Sequence, residues 1–349
     1  MIGSGTADSA KATATREPSI RGPDRRGIST VVDVSLCLLL ITASIAVITV
    51  FLAADLDRHD PTIADETAQT LATSTTTVEY SIQSVERRDD TGVFDDATYD
   101  ADRYDRVHHG PLAQLLGAAA ISDAGIDGDP FSEVGVEFRE AVDANVRSEL
   151  IGAHDHIHVI ARWEPYESAS IRGETAAGDR PPADADVSTV TFTVASGFPE
   201  TPDDELEGTY DVENGSFDRA ADPIAEAILD GQFPTESTTM ALQGDGLDRS
   251  LILYEYRRWS DVLGVDAEVE REYLNRTAVD VDGANEILSE NVSDVIAADL
   301  EETFDETTDA ELESEDTTGE AAISATADEW LTSTVATDEV TITVRVWDE

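Results

Sequence analysis

One segment near the N-terminus limits what this chain can fold into more than any other. Val34–Ala54 reads VSLCLLLITASIAVITVFLAA, which is 21 residues without a charge in a chain of 349 residues. An α-helix of this length, rising about 1.5 Å per residue, would be about 31 Å long and would match the hydrocarbon core of a bilayer. A helix on a soluble core would show a polar face, and this one shows none. We therefore predict a single N-terminal transmembrane α-helix over residues 31–54, embedded in the lipid bilayer.

The charges on either side of this helix predict its orientation. Lys11 and four arginines precede it, whereas Asp55 and Asp57 follow it directly. Basic residues favour the cytoplasmic side of a membrane. Residues 1–27 are therefore predicted to be a cytoplasmic basic leader, and residues 55–349 an acidic extracytoplasmic domain. The predicted localisation is the cell membrane, single-pass, with the N-terminus cytoplasmic and the C-terminal domain extracellular.

The charge of the chain indicates a halophilic acidic protein. Asp and Glu total 75 against 22 Lys and Arg, which gives a formal charge of −53, and Lys11 is the only lysine. Like charges repel one another less when salt shortens the screening length to a few ångströms. The same charge excludes nucleic acid as a partner, because phosphate binding needs a basic surface. Cys37 is the only cysteine, so an intrachain disulfide is excluded.

The junction before the helix resembles a known processing signal. Arg25-Arg26-Gly27-Ile28-Ser29 stands before the apolar run, whereas an ordinary secretory signal is cut after its apolar region. The arrangement resembles the class III, prepilin-type signals of archaeal type IV pilins. The resemblance implies a prepilin-type peptidase that recognises Arg26, Gly27 and Ile28, cuts after Gly27 and leaves the helix on the mature protein. The alternative is an uncut signal anchor with a positive flank.

Hydrophobic periodicity predicts an α+β fold for the extracytoplasmic domain. Alternating apolar residues predict strands at 75–85, 157–163, 187–194 and 339–347. Helical spacing predicts helices after Pro111, after Asp129-Pro130, through Tyr256 and Trp259, through Leu288 and Val292, and through Ala327 and Trp330. Residues 172–186 are predicted to be a loop. A polar stretch near 197–215 marks a sub-boundary, although the last strand could return to the first sheet and make one domain.

Three histidines are the weak candidates for a metal site. His154, His156 and His158 alternate with other residues, so on a strand they would share one face, where neutral imidazoles could hold zinc. The sequence identifies no further ligand. Ile157, Val159 and Ala161 are predicted to face the core, which would leave the histidines in solvent.

Other candidate chemistry is weaker still. A calcium loop starting at Asp123 fails, because Val134 stands where a bidentate glutamate is required. Residues 301–316 hold nine carboxylates and no base, and we predict a hydrated loop at the end of a helix. No phosphate-binding loop, G-x-S-x-G or H-E-x-x-H motif occurs. We therefore predict no catalytic residue, no cofactor and no enzyme activity.

Three N-x-S/T sequons are candidates for glycosylation if the domain is outside the membrane. They begin at Asn214, Asn275 and Asn291. The last two border predicted helices and could be partly buried.

Three stretches of the chain resemble one family. RRGISTVVDVSLCLLL, HGPLAQLLGAAA and the pair IARWEPY and AAGDRPPADADV resemble uncharacterised haloarchaeal pilin-like membrane proteins that share a domain of unknown function. The resemblance implies a non-enzymatic pilin-like or accessory subunit of a type IV pilus-like cell-envelope or secretion assembly, with other pilin-like membrane subunits as partners. Two alternatives remain open. The first is an independently anchored extracellular binding module, an adhesin or solute sensor, and the second is a metal-dependent enzyme that uses His154–His158.

Overall fold

The computed structural model describes residues 61–95, 99–150, 156–265, 268–312 and 320–347. These residues fall in one unit, His59–Glu349. The predicted leader 1–27, the predicted transmembrane helix 31–54, the processing residues Arg26, Gly27 and Ile28, and His154 lie outside the described residues. Of the helices that the structure describes, none is both long and apolar enough to cross a membrane.

The described part of the chain mixes helices and strands. The helices are α1 (Pro61–Thr73), α2 (Val85–Arg88), α3 (Leu112–Ile121), α4 (Val136–Leu150), α5 (Asp203–Leu206), α6 (Asp218–Gln232), α7 (Thr235–Gln243), α8 (Leu247–Leu263), α9 (Glu268–Tyr273), α10 (Val281–Leu312) and α11 (Glu320–Thr334). The strands are β1 (Thr75–Ser81), β2 (Asp105–Pro111), β3 (Gly125–Ile126), β4 (Asp129–Pro130), β5 (Ile157–Trp163), β6 (Ile171–Gly178), β7 (Val187–Ala195), β8 (Leu274–Asn275), β9 (Ala278–Val279) and β10 (Glu339–Trp347).

Six of these strands form one sheet in the order β4-β3-β6-β5-β10-β7. Neighbouring strands in it pair antiparallel. The last strand, β10, lies between β5 and β7, where Val344 is opposite Val159 on one side and Val190 on the other. The chain therefore crosses residues 197–215 and returns to the same sheet.

The strand β10 shows why this sheet forms. Its sequence EVTITVRVW alternates apolar and polar residues, and Val340, Ile342, Val344 and Val346 are buried. Burial of each such side chain stabilises the fold by about 1.5–3 kcal/mol. The predicted strand at 339–347 is confirmed.

The helices α1, α3 and α4 pack on one face of the sheet, which we call the inner face. Two glycines allow the close approach of α3. A Cβ on Gly117 would lie 3.0 Å from Cγ2 of Val194, and a Cβ on Gly173 would lie 2.1 Å from the carbonyl oxygen of Ala120. A larger residue at Gly173 would therefore force α3 away from β6.

The second half of the chain is mainly helical, with α6 packed along α10 and α8 beside them. A buried hydrogen-bond chain joins these helices. Tyr256 Oη donates to Asn285 Oδ1 at 2.6 Å, and Asn285 Nδ2 donates to the carbonyl of Phe233 at 3.1 Å. The rings of Phe233 and Tyr256 also stack, with 3.9 Å between centroids. The buried polar groups of Tyr256 and Asn285 are thus satisfied by one another and by the Phe233 carbonyl.

The prediction of a loop at 172–186 was wrong over its first half, which is β6. The inward positions of β6 carry Gly173 and Ala177, both buried. The residues are small because α3 lies directly above them, and small residues give no alternating apolar signal.

The prediction that Asp129-Pro130 starts a helix was also wrong. These residues pair with β3 as β4, and α4 starts at Val136. Asp127 and Gly128 both have a positive φ, which makes a tight hairpin turn before β4. The predicted burial of Phe138, Val142 and Val146 is confirmed.

The acidic run 301–316 is not a loop over its first part, because α10 continues to Leu312. Leu300 and Phe304 are buried. Their packing holds the helix in a segment whose charges alone would favour solvation.

Candidate functional site

We call the face of the six-stranded sheet opposite the inner face the outer face, and on β7 and β10 it is lined mainly by threonines. Strand alternation places Thr189, Thr191 and Thr193 of β7 beside Thr341 and Thr343 of β10. The hydroxyl oxygens of Thr191 and Thr343 are 3.5 Å apart. All but Thr343 are exposed, so this part of the outer face is an uncharged surface of hydroxyl and methyl groups.

Two arginines, Arg345 and Arg180, lie close to His158 at the other end of the outer face, and we call these three residues the basic cluster. His158 on β5 is directly opposite Arg345 on β10 and Gly178 on β6. Burial lowers the pKa of His158, and the charges of Arg345 and Arg180 lower the pKa further. The imidazole is therefore neutral at pH 7.

The positive charges of Arg345 and Arg180 are not neutralised by an ion pair within the described ranges. Nearby, Arg162 pairs with Glu174 at 2.6 Å and Arg147 pairs with Asp143 at 2.8 Å. Within the described ranges, Arg345 and Arg180 take part in no ion pair of this kind. Planar guanidinium groups bind carboxylate and phosphate groups well. The basic cluster can therefore attract an anion, in a chain whose surface otherwise repels one.

The sequence alone does not predict the basic cluster. Arg345 occupies an outward position in the alternating sequence of β10, but nothing in the sequence gives the register that places it opposite His158. Arg180 follows β6, which the sequence pattern does not reveal. The three residues come from segments far apart in the chain, and only strand pairing brings them together.

The predicted metal-binding histidines are only partly described. His158 lies on β5, His156 lies just before it, and His154 lies outside the described residues. The ring of His156 is 5.8 Å from that of Trp347, centroid to centroid. Over the ranges that the structure covers, no three His, Cys, Asp or Glu residues are grouped so that they could hold a metal ion. Zinc binding by the three histidines remains a prediction.

The prediction that these histidines lie in solvent was wrong for His158, which is 4% exposed. β5 is not an edge strand, because β6 and β10 pair with it on either side. Trp347, which is also buried, shares this face two residues after Arg345. The Nδ1 atom of His158 is buried and has no hydrogen-bond partner among the described residues.

A second site is an acidic groove of about 570 Å³ between α6 and α10. Its carboxylates come from both helices: Asp222, Glu226, Asp230, Asp282, Glu286 and Glu290. Ser293 donates a hydrogen bond to Asp222, and Thr235 donates one to Asp282. Burial raises the pKa of Asp230, and the nearby charge of Asp282 raises it further. The groove therefore concentrates negative charge and is sensitive to the cations around it.

A third site is the carboxyl group of Glu255 on α8. Burial raises its pKa from 4.5 to about 7. No hydrogen bond or ion pair within the described ranges satisfies this side chain, and the nearby Trp259 Nε1 is buried without a partner. Glu255 lies beside the predicted apolar stripe of Ile252, Tyr256 and Trp259. A carboxylate next to a helix face that is predicted to be buried is the sequence feature that could have indicated this site. Glu255 can exchange a proton near neutral pH.

The three sequons differ in accessibility. Asn214 is exposed in a turn, where its Nδ2 donates to Asp211 Oδ2 at 2.9 Å. The Oδ1 of Asn275 accepts hydrogen bonds from the backbone N–H and the hydroxyl of Thr277. Asn291 lies in the middle of α10, and its Nδ2 donates to the carbonyl of Ile287 at 2.9 Å. Asn214 is thus the most accessible, and glycosylation remains a prediction for all three.

The fold and these surfaces define a mixed α/β protein with one six-stranded antiparallel sheet. The chain belongs to a family of unknown function, DUF7284, whose model matches residues 32–347. The match begins before the uncharged run Val34–Ala54 and ends with β10. It therefore includes the predicted membrane helix as well as the folded part. Comparison with curated proteins and with solved structures finds no match.

Proposed function

We propose that this chain is a membrane-anchored, non-enzymatic, pilin-like or accessory subunit of a cell-envelope assembly. The observation that carries the proposal is the uncharged run Val34–Ala54, which begins six residues after Ile28 of Arg26-Gly27-Ile28. The family match covers this run, so the apolar segment belongs to the family's common sequence. A helix that remains on the mature protein can anchor the domain and also pack laterally against other such helices.

The acidic domain fits a position outside the cell in concentrated salt. Basic residues precede the predicted helix and acidic residues follow it, which favours export of the C-terminal part. The acidic groove between α6 and α10 would be destabilised by self-repulsion in dilute salt, and molar salt relieves that repulsion. A salt-adapted envelope, such as that of a haloarchaeon, is the environment in which this surface charge is tolerated.

The mature N-terminus tests the proposal. The protein is isolated from host membranes as the full chain, and its N-terminal peptide is identified by mass spectrometry. We expect a start at Ile28, and we expect Gly27→Leu to block cutting, because the peptidase site requires a small residue there. Gly22→Leu is the matched control, since Gly22 also follows an arginine but is not next to the apolar run.

An uncut N-terminus in the wild-type protein would contradict pilin-type processing. It would favour the second candidate function, an independently anchored extracellular module that binds an anionic solute. The basic cluster of His158, Arg345 and Arg180 supports this candidate, because two of its guanidinium groups have no ion-pair partner in the described part of the chain.

A further inference from the structure

The two edges of the six-stranded sheet are built very differently. One edge is β4, which has only two residues, an aspartate and a proline. Natural proteins block sheet edges in this way, with short strands, charges and prolines. The other edge is β7, which has nine residues, VSTVTFTVA, without a charge or a proline.

The outer backbone edge of β7 is open in the part of the molecule that the structure describes. β7 pairs with β10 on one side, and no further strand follows it in the sheet. At the end of the strand, the carbonyl of Ala195 accepts a hydrogen bond from Gln114 Nε2 at 3.2 Å. The stretch before Ala195 therefore presents unpaired backbone donors and acceptors, which a further strand can satisfy.

The sequence of β7 is close to symmetric about Thr191. If two copies of β7 pair antiparallel over their full length, Thr191 lies opposite Thr191, and Thr189 lies opposite Thr193. On the inner face, Val190 then lies opposite Phe192. Threonines and β-branched or aromatic pairs are among the favourable cross-strand pairs.

The flanking charges fit the same register. With Thr191 at the centre, Asp186 of one copy lies opposite Ser196 of the other, and Asp184 lies opposite Phe198. Glu200 lies opposite Pro182. Carboxylates therefore never lie directly opposite carboxylates, an arrangement that would destabilise the pair. In a chain with a formal charge of −53, few surfaces allow two copies to meet without this repulsion.

We propose that two copies of this chain pair through their β7 strands, antiparallel about a two-fold axis at Thr191, to form one continuous twelve-stranded sheet. The pairing deepens the proposed function, because it names the partner as a second copy. The pairing rests on the proposed function only because it treats the chain as a subunit of an assembly. The pairing does not depend on cutting after Gly27, so the pairing and the pilin-type processing can fail separately. The net charge opposes association, and pairing therefore requires molar salt.

Disulfide cross-linking of the full chain tests the register. The protein is held in detergent and molar salt with Cys37→Ser as the background, and oxidised glutathione is the oxidant. Directly opposite side chains have Cβ atoms about 4.5–5.5 Å apart, which is close to disulfide geometry. We expect Thr191→Cys to give covalent dimers. Thr189→Cys alone should not, but a mixture of Thr189→Cys and Thr193→Cys copies should.

Thr341→Cys is the matched control, because Thr341 is exposed on the same outer face but lies on β10, which is not an edge strand of the sheet. Equal cross-linking of Thr191→Cys and Thr341→Cys would indicate random collision and overturn the proposal. Dimers formed by Thr189→Cys alone would overturn the register, and an absence of Thr191→Cys dimers would overturn the pairing.

A charge variant gives a second, non-covalent test. Thr191→Glu places two carboxylates directly opposite each other, and we expect dimer dissociation to become at least about tenfold easier in light scattering at molar salt. Thr341→Glu adds the same charge to the same face and should leave the dimer intact. Circular dichroism confirms that both variants are folded. A dimer that survives Thr191→Glu unchanged would contradict the proposal.

Discussion

At the scale of single residues, Glu255 makes the stability of the fold depend on pH. Its pKa rises from 4.5 to about 7 because the half-buried carboxylate is poorly solvated. Below pH 4.5 the group is protonated in both the folded and the unfolded chain, so it costs nothing. Between pH 4.5 and about 7 the unfolded chain ionises while the folded chain keeps its proton, so the free energy of unfolding falls across this range and levels off above it.

We therefore expect Glu255→Gln to raise the free energy of unfolding by roughly 1–2 kcal/mol near pH 8 and to change it little near pH 4. Denaturant titration in molar salt at the two pH values measures this. Asp261→Asn, an exposed carboxylate on the same helix, is the control and should show no such difference. A pH-independent effect of Glu255→Gln would contradict the assignment.

The sequence predicts the burial of a side chain correctly where its position on one helix face determines that burial. It fails where the burial depends on neighbouring strands of a sheet. The spacing of Tyr256 and Trp259 correctly predicts their burial on α8. The burial of His158 is not predictable in this way, because it depends on Arg345 and Trp347, almost 190 positions away in the sequence. Cross-strand neighbours are set by register, and a single strand's pattern does not contain the register.

At the scale of elements, Asp299 connects α10 to the segment between β5 and β6. Its Oδ2 accepts hydrogen bonds from Tyr166 Oη at 2.8 Å and from the backbone N–H of Ser170 at 2.7 Å, and its Oδ1 accepts one from Ser170 Oγ at 2.8 Å. We expect Asp299→Ala to lower the free energy of unfolding by about 2–3 kcal/mol, because hydrogen bonds to a charged group are lost and Tyr166 Oη is left buried without its partner.

Hydrogen exchange distinguishes this connection from a general loss of stability. Amides of β5 and β6 should exchange faster in Asp299→Ala than in the wild type, before the rest of the sheet does. Asp294→Ala, an exposed residue on the same helix, is the control. Uniform acceleration across the domain would show that Asp299 does not hold this hairpin in particular.

The sequence predicts best those helices and strands that have one buried face and one solvent-exposed face. β10 alternates because one face is buried and the other is not, so its predicted bounds match those observed. β6 lies under α3, and Gly173 is small because a Cβ there would meet the Ala120 carbonyl. That constraint comes from a helix more than 50 residues earlier in the sequence, and local pattern does not reveal it.

At the scale of the whole molecule, the charge distribution predicts that folding requires salt. The acidic groove brings carboxylates of α6 and α10 together, and the charge of Asp282 contributes to the raised pKa of Asp230. At about 0.1 M salt the screening length is roughly 10 Å, so these groups repel across the groove, whereas at 1 M it is about 3 Å. The thermal midpoint should therefore fall steeply as salt is removed.

The position of the charges, and not only their number, should determine this salt dependence. We expect the combined variant Glu226→Gln, Asp230→Asn and Glu286→Gln to raise the thermal midpoint in dilute salt and to leave it unchanged in molar salt, where the repulsion is already screened. Because these side chains are largely exposed, each change should contribute roughly 0.5 kcal/mol or less.

The matched control removes three exposed charges outside the groove, Asp184→Asn, Glu205→Gln and Asp245→Asn. If both triple variants shift the dilute-salt midpoint equally, total charge governs stability and the groove has no special part in it. A larger shift for the groove variant would locate the salt requirement at the interface of α6 and α10.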